Sequence, residues 1–221
     1  MSEPIADDKL EKWLQQYPFS QLLTITDKGV IYRQGDRCAE VFLLIKGVIK
    51  LDHVTPLGNT LTIALLHRGD LLGKLNAQND AESMEDTAQA IGEVRLYRCN
   101  QGKFRELLSQ KSDVAWQVFD RLSTRCRQAE RKLRSALTQT VETRVIETLK
   151  DLSNTFGIRC THGYALEIHL TQQELADLVG ANRSVVSSIM NDLRNRNLLD
   201  YTRELICIHD TAFDDFYKQF V

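Results

Sequence analysis

The stretch from Thr171 to Arg196, TQQELADLVGANRSVVSSIMNDLRNR, holds the residues best suited to recognition chemistry. At helical spacing Arg183, Ser184, Ser187, Ser188 and Asn191 share one face, which offers a guanidinium, three hydroxyls and a carboxamide for hydrogen bonding. Behind that face Val186, Ile189 and Leu193 form an inward apolar stripe. Upstream, Thr171 and Glu174 have the spacing of a capping box, and Leu175, Ala176, Leu178 and Val179 continue as a first amphipathic helix. Gly180 stops it, because a left-handed backbone costs least at glycine, and Asn182 can cap the second helix. The small Ala176 allows close approach, Gly180 makes the turn and Val186 plugs the angle. An ordinary helical hairpin in a core is the plain alternative. The three positions together favour a helix-turn-helix that lays its second helix in the DNA major groove. No nucleophile, acid–base pair or phosphate-binding loop is visible anywhere in the chain, so an enzyme is not expected.

Such a helix needs a scaffold, and the preceding sequence reads as one. Asp113 can cap a long helix running to about Thr138. Its apolar positions are Ala115, Val118, Phe119, Leu122, Cys126, Ala129, Leu133 and Leu137, spaced by threes and fours in the heptad manner. A stripe this narrow predicts a homodimer seam formed by Val118, Phe119, Leu122, Cys126, Ala129 and Leu133. A dimer is also what a helix-turn-helix needs to read two half-sites about one DNA turn apart. Residues 141–156 read as another amphipathic helix stopped by Gly157, and Leu166–Leu170 as a short strand leading into Thr171. After the second motif helix, Leu198–Tyr201 and Leu205–Ile208 alternate around Arg203 and Glu204, which predicts a β-hairpin wing. The tail from Thr211 reads as a short helix with Phe213, Phe216 and Phe220 inward.

The N-terminal half has a different character. Residues 4–17 read as a short helix. From Ile25 to Cys99, short β-rich runs alternate with glycine turns at Gly29, Gly35, Gly47, Gly58 and Gly69, as in an antiparallel jelly roll. Gly47 is expected to separate two strands, and His53 and His67 to sit in surface turns. The whole is an α+β chain divided into a β-roll domain (residues 1–111), a dimerisation helix (112–139) and a winged helix-turn-helix domain (140–221).

The 221 residues carry a net charge of −2, which does not advertise nucleic-acid binding. From Thr171 onward five Lys/Arg face eight Asp/Glu, yet Arg183, Arg194 and Arg196 lie on or just after the second helix. A local basic face suffices for DNA. No segment has membrane-spanning length and the N-terminus is polar and acidic, so a cytoplasmic location is expected. Five dispersed cysteines show no metal-ligand spacing, which argues against an iron–sulfur cluster and for buried thiols in a reducing compartment.

The order β-roll, long helix, winged helix-turn-helix resembles the CRP/FNR family of bacterial transcription regulators. The stretches carrying the likeness are VFLLIKGVIKL, GDLLGKL and QELADLVGANRSVVSSIMNDLR, and VFLLIKGVIKL followed by TLTIALL looks most like the NtcA-type branch, the cyanobacterial nitrogen regulators. The resemblance covers about Ile25 to His209. It implies a cyclic-nucleotide-binding-like roll, a homodimer on a palindromic double-stranded DNA site, and RNA polymerase as partner. The expected DNA-contacting set is Thr171, Gln172, Asn182, Arg183, Ser184, Ser187, Ser188, Arg194 and Arg196.

The effector pocket implied by the resemblance falls on Gly73, Lys74, Leu75, Met84, Asp86 and Thr87, and it departs from the family pattern. Cyclic-AMP-binding members hold the ribose with a Gly-Glu pair and the phosphate with an Arg-Ser pair. Here Gly73 is followed by Lys74, and the arginine position falls on Met84 or Asp86, depending on the loop register. Between Lys74 and Arg95 there is no Lys or Arg, while Asp80, Glu82, Glu85, Asp86 and Glu93 are present. A phosphate beside those carboxylates adds like-charge repulsion to its desolvation cost. Cyclic AMP and 2-oxoglutarate are therefore not expected, nor is haem, whose axial His or Cys pair is missing near the long helix. A regulator without a small effector, one with an uncharged ligand, and one controlled by a protein partner all remain open.

The family's base-reading pattern is an Arg at the helix start, the next residue, and an Arg five positions on. Here these are Arg183, Ser184 and Ser188. Arg183 can hold guanine O6 and N7 bidentately, whereas the serines select weakly. Arg194 and Arg196 are better placed for phosphate. A changed half-site follows, or a looser one. The alternative is a regulatory protein-interaction dimer with a degenerate pocket and weak DNA binding, favoured by the acidic balance of the last domain.

Overall fold

The computed structural model describes residues 9–37, 39–74, 83–166, 168–202 and 205–212. Leu75, Cys38, Arg203, Glu204 and the tail phenylalanines lie outside the described residues. The chain is α+β and divides into two compact units within its longest helix, between Arg131 and Lys132.

The first unit opens with α1 (Lys9–Gln16), followed by β1 (Ser20–Ile25), β2 (Val30–Tyr32), β3 (Glu40–Val54), β4 (Thr60–Leu66), β5 (Leu71–Gly73) and β6 (Thr87–Asn100). Then come α2 (Gln101–Gln110) and α3 (Ser112–Thr138). The six strands are antiparallel in the order β1-β6-β3-β4, with β2 added on β6 and β5 on β3. Alternation along β3 explains its unbroken apolar run. Phe42 and Leu44 face the roll interior with Ile49, Leu51, Leu72, Val94 and Leu96. Val41 and Leu43 face the opposite way, into a second core of Leu10, Leu14, Phe104, Leu107, Val114 and Val118. A strand buried on both faces reads as a continuous hydrophobic segment.

Gly47 does not separate strands: β3 runs through it, with register shifts against β6 on both sides of Lys46. An extra residue at such a bulge bends the strand and keeps the pairing. His53 is therefore a strand residue opposite Leu61, not a turn residue. Asp113 also differs from its expected role. The helix begins at Ser112, and Asp113 lies in its first turn, paired with Lys9 at 3.2 Å.

Along α3 the first two turns belong to the roll. Val118 is only 4 % exposed, inside the core with Val114. It cannot also serve a seam. The exposed stripe is instead Trp116 (65 %), Phe119 (57 %), Leu122, Cys126, Ala129, Leu133 (61 %) and Leu137 (76 %).

The second unit contains α4 (Val141–Phe156), β7 (Gly157–Arg159), β8 (Gly163–Leu166), α5 (Gln172–Val179), α6 (Arg183–Asn195), β9 (Leu199–Tyr201) and β10 (Ile206–His209). Thr140 caps α4, its hydroxyl accepting from the Thr143 N–H. The strands form one antiparallel sheet in the order β7-β8-β10-β9. The expected wing is present as β9 and β10. The strand expected at Leu166–Leu170 lies earlier, at Gly163–Leu166, because it pairs back on β7 through the turn at Cys160–His162. Residues 168–170 form no strand and lead into the cap at Thr171.

Inside this unit Val186, Met190 and Leu193 are the buried positions of α6, whereas Ile189 is only partly buried. The inward stripe thus steps by four and then three, and Met190 displaces Ile189 from it. Met190→Ala is expected to cost about 2–5 kcal/mol, since it opens a cavity between close-packed helices. Ile189→Ala should cost clearly less. Urea unfolding of both variants checks the order.

Candidate functional site

The helix-turn-helix is built by local interactions that can be followed atom by atom. The Thr171 hydroxyl accepts from the Glu174 N–H at 3.1 Å, and the Glu174 carboxylate accepts from the Thr171 N–H at 2.9 Å. This reciprocal cap fixes the start of α5. Gly180 takes the left-handed conformation, φ 70° and ψ 48°, and its N–H donates to the Ala176 carbonyl. Asn182 sits at the start of α6, but its side chain makes no capping bond there. Arg144 of α4, which sequence reasoning passed over, donates to the Gly180 carbonyl at 3.2 Å and to the Ala136 carbonyl at 3.3 Å. It ties the turn to the end of α3.

On α6, Arg183, Ser184, Ser188 and Asn191 are exposed and Ser187 is half-buried. Arg183 has no carboxylate partner among the described residues. Arg194 and Arg196 are engaged differently. Arg194 lies over the Tyr201 ring at 5.7 Å, with its Nε 3.7 Å from Asp200. Arg196 reaches Glu142 at 3.5 Å and Asp192 at 3.4 Å. Such solvent-exposed pairs are weak, so a phosphate can exchange with the carboxylates. The wing is fastened to α6 by the Tyr201 hydroxyl, which donates to Asn191 Oδ1 at 2.8 Å. At the start of α5, Thr171 is exposed but committed to its cap, and Gln172 is half-buried.

The expected effector pocket falls on the ends of β5 and β6. Gly73, at φ 94°, pairs with Val41, and a Cβ there would lie 2.3 Å from the Glu40 carbonyl oxygen. Only glycine allows that approach. The Lys74 carbonyl accepts from Gln101 Nε2 at 2.7 Å, and Met84 is buried in the roll core. The Thr87 hydroxyl accepts from the Gln34 N–H at 3.0 Å, so it closes the β2 end of the roll. Asp86 accepts a hydrogen bond from the Tyr32 hydroxyl, and burial pushes its carboxyl above the usual range. Burial, then the neighbouring Asp86 charge, raises the Tyr32 hydroxyl as well. Asp86 Oδ1 is buried without a hydrogen-bond partner among the described residues.

The absence of Lys and Arg from Lys74 to Arg95 does not leave the region without a cation. Arg125 of α3 donates to the Leu71 carbonyl at 2.9 Å, and its charge acts on both Asp86 and Tyr32. A long-range contact supplies what the local sequence lacks.

Among the described residues, no group of three or more His, Cys, Asp or Glu could hold a metal ion.

Comparison with known proteins agrees with this architecture. Residues 23–111 match the model of the cyclic nucleotide-binding domain, and residues 143–212 match the Crp-like helix-turn-helix domain. The chain is 26% identical over 188 residues to a global nitrogen regulator of Synechocystis, covering 85% of this chain and 84% of that one. It is 28% identical over 189 residues to the cAMP-activated global transcriptional regulator Vfr of Pseudomonas aeruginosa, covering 84% of this chain and 88% of that one. Among solved structures it resembles the c-di-GMP responsive global regulator CLP of Xanthomonas campestris, with a TM-score of 0.78 and 20% identity over 90% of this chain and 97% of that one.

Proposed function

The chain belongs to the CRP/FNR family of transcription regulators, and from that premise we propose that it binds a palindromic DNA site as a homodimer without cyclic AMP as effector. DNA binding through the helix-turn-helix is the family's activity. The observation that carries the rest is the exposed stripe Trp116–Leu137 on α3, a helix followed in the chain by the helix-turn-helix, whose Arg183 has no carboxylate partner among the described residues. Two copies joined along that stripe would present two copies of α6, as recognition of paired half-sites requires. RNA polymerase is the expected partner, and the cytoplasm the expected location. No helix among the described residues is long and apolar enough to cross a membrane.

The effector proposal rests on Asp86. A carboxylate stands at one of the two positions where cyclic-AMP-binding relatives place the phosphate-holding arginine, and Arg125, whose charge acts on Asp86, already donates to the Leu71 carbonyl. A cyclic phosphate entering there would face the Asp86 carboxylate, a charge that repels it. Calorimetric titration of the full chain with cyclic AMP should therefore show no binding heat at micromolar ligand. A micromolar dissociation constant would overturn this reading. The same carboxylate disfavours 2-oxoglutarate.

One observation favours a second reading, a protein-interaction dimer with weak DNA binding. Arg194 and Arg196 are both met by carboxylates of their own domain. A salt titration separates the two. DNA affinity falling steeply with salt supports groove binding through phosphates, and no retention on DNA at low salt supports the second reading.

A further inference from the structure

Cys160 and Cys207 are 47 residues apart in the chain, yet their sulfurs stand 3.4 Å apart in the winged domain. The backbone enforces this. Cys160 begins the turn between β7 and β8, with its N–H donating to the Gly163 carbonyl at 2.9 Å. Gly163 pairs with His209, and a Cβ at Gly163 would lie 2.0 Å from the Ile208 carbonyl oxygen. The turn is thereby pressed onto β10, where Cys207 pairs with Ala165 on one side and Asp200 on the other. Both thiols are half-buried, so a small oxidant can reach them.

We propose that Cys160 and Cys207 are a dithiol that a hydroperoxide oxidises to an intradomain disulfide. The Cys160 thiolate attacks one peroxide oxygen and forms an S–O bond. The O–O bond breaks, and the other oxygen takes a proton and leaves as water. The sulfur of Cys207 then loses its proton and attacks the Cys160 sulfur. The S–O bond breaks and a second water departs. Two thiols and one hydrogen peroxide give one disulfide and two waters, so two electrons pass from sulfur to oxygen. Bond formation brings the sulfurs from 3.4 Å to bonding distance, about 2.0 Å.

The surroundings divide the roles. The His162 backbone N–H above all, helped by the Cys207 thiol and the Arg159 guanidinium, holds the Cys160 thiol below its ordinary range. Burial pushes Cys207 up to about 11. Cys160 is thus the attacking sulfur and Cys207 the resolving one. The other described cysteines are placed otherwise: Cys99 is buried in the roll, and Cys126 is exposed on α3. The resulting loop would enclose the entire helix-turn-helix, because α5 and α6 both lie between the two cysteines.

The test uses the reduced full-length protein, exposed to hydrogen peroxide, alkylated and mapped by mass spectrometry. The expected product is one cross-linked peptide pair containing Cys160 and Cys207, reversed by dithiothreitol. Its melting temperature should rise on the order of 10 °C, since the closed loop restricts the unfolded chain. That rise should vanish in both Cys160→Ser and Cys207→Ser. Sulfinic acid on Cys160 without a link would overturn the proposal, as would cross-linking only through Cys126 between two copies. The peptide map of the unmutated protein decides the matter even if either serine variant folds poorly.

Discussion

Replacing Arg183 with alanine is expected to erase the preference for one base pair in each half-site while leaving the other positions readable. Arg183 is exposed at the first position of α6, and no carboxylate among the described residues holds it back. A bidentate guanidinium–guanine contact is worth about 1–3 kcal/mol of discrimination, roughly tenfold to a hundredfold in affinity ratio. The neighbouring Ser184 and Ser188 cannot make up the loss, because a hydroxyl donates or accepts with equal ease. Arg196→Ala should behave differently. Its guanidinium lies beyond the helix end, between Glu142 and Asp192, and its removal should weaken all sequences alike and flatten the salt dependence. Affinities of both variants on a panel of single-base-substituted sites measure the contrast. Equal, sequence-independent losses from the two would contradict the assignment.

A carboxylate in the exposed stripe should have the larger effect. Leu133→Asp puts a charge where two copies of α3 would meet, and a buried unpaired charge is among the costliest single changes. The residue is 61 % exposed in the isolated chain, so the fold of the monomer itself should survive. Loss of the dimer leaves one half-site per molecule, and DNA affinity should fall about a hundredfold to ten-thousandfold, the usual yield of linking two binding events. Sedimentation would report the mass and fluorescence anisotropy the affinity. A Leu133→Asp protein that remains dimeric would move the interface off this stripe. Val118→Asp offers no such test, because Val118 is in the roll core and its substitution would unfold the domain.

How far the sequence carries differs by element, and the reason is the range of the interactions. The helix-turn-helix was legible almost to the residue, because the Thr171–Glu174 cap and the left-handed Gly180 are local and have distinctive side chains. Periodicity points Ile189 inward where the fold buries Met190, since steps of three and four are equally helical and only packing chooses between them. Val118 reads as a seam residue for a related reason. The heptad pattern treats α3 as one surface, but its first two turns pack on the roll, and Trp116 joins the exposed stripe instead. Gly47 looked like a strand break because a bulge and a turn use the same residue. The two features that most change the chemistry, the charge of Arg125 acting on Asp86 and the contact of Cys160 with Cys207, are invisible in the sequence. Each joins residues brought together only by the fold. Their one advance signal is weak: Arg125 is one of several arginines flanking an apolar stripe, and the cysteines share no motif.

Selection of bound sequences from random DNA by the full-length protein tests the central claim most directly. Two inverted half-sites are expected, with centres about 10 base pairs apart or a multiple of that, each with one invariant guanine that disappears in the Arg183→Ala selection. Enrichment of a single unpaired half-site, or no enrichment at low salt, would contradict a palindrome-reading homodimer.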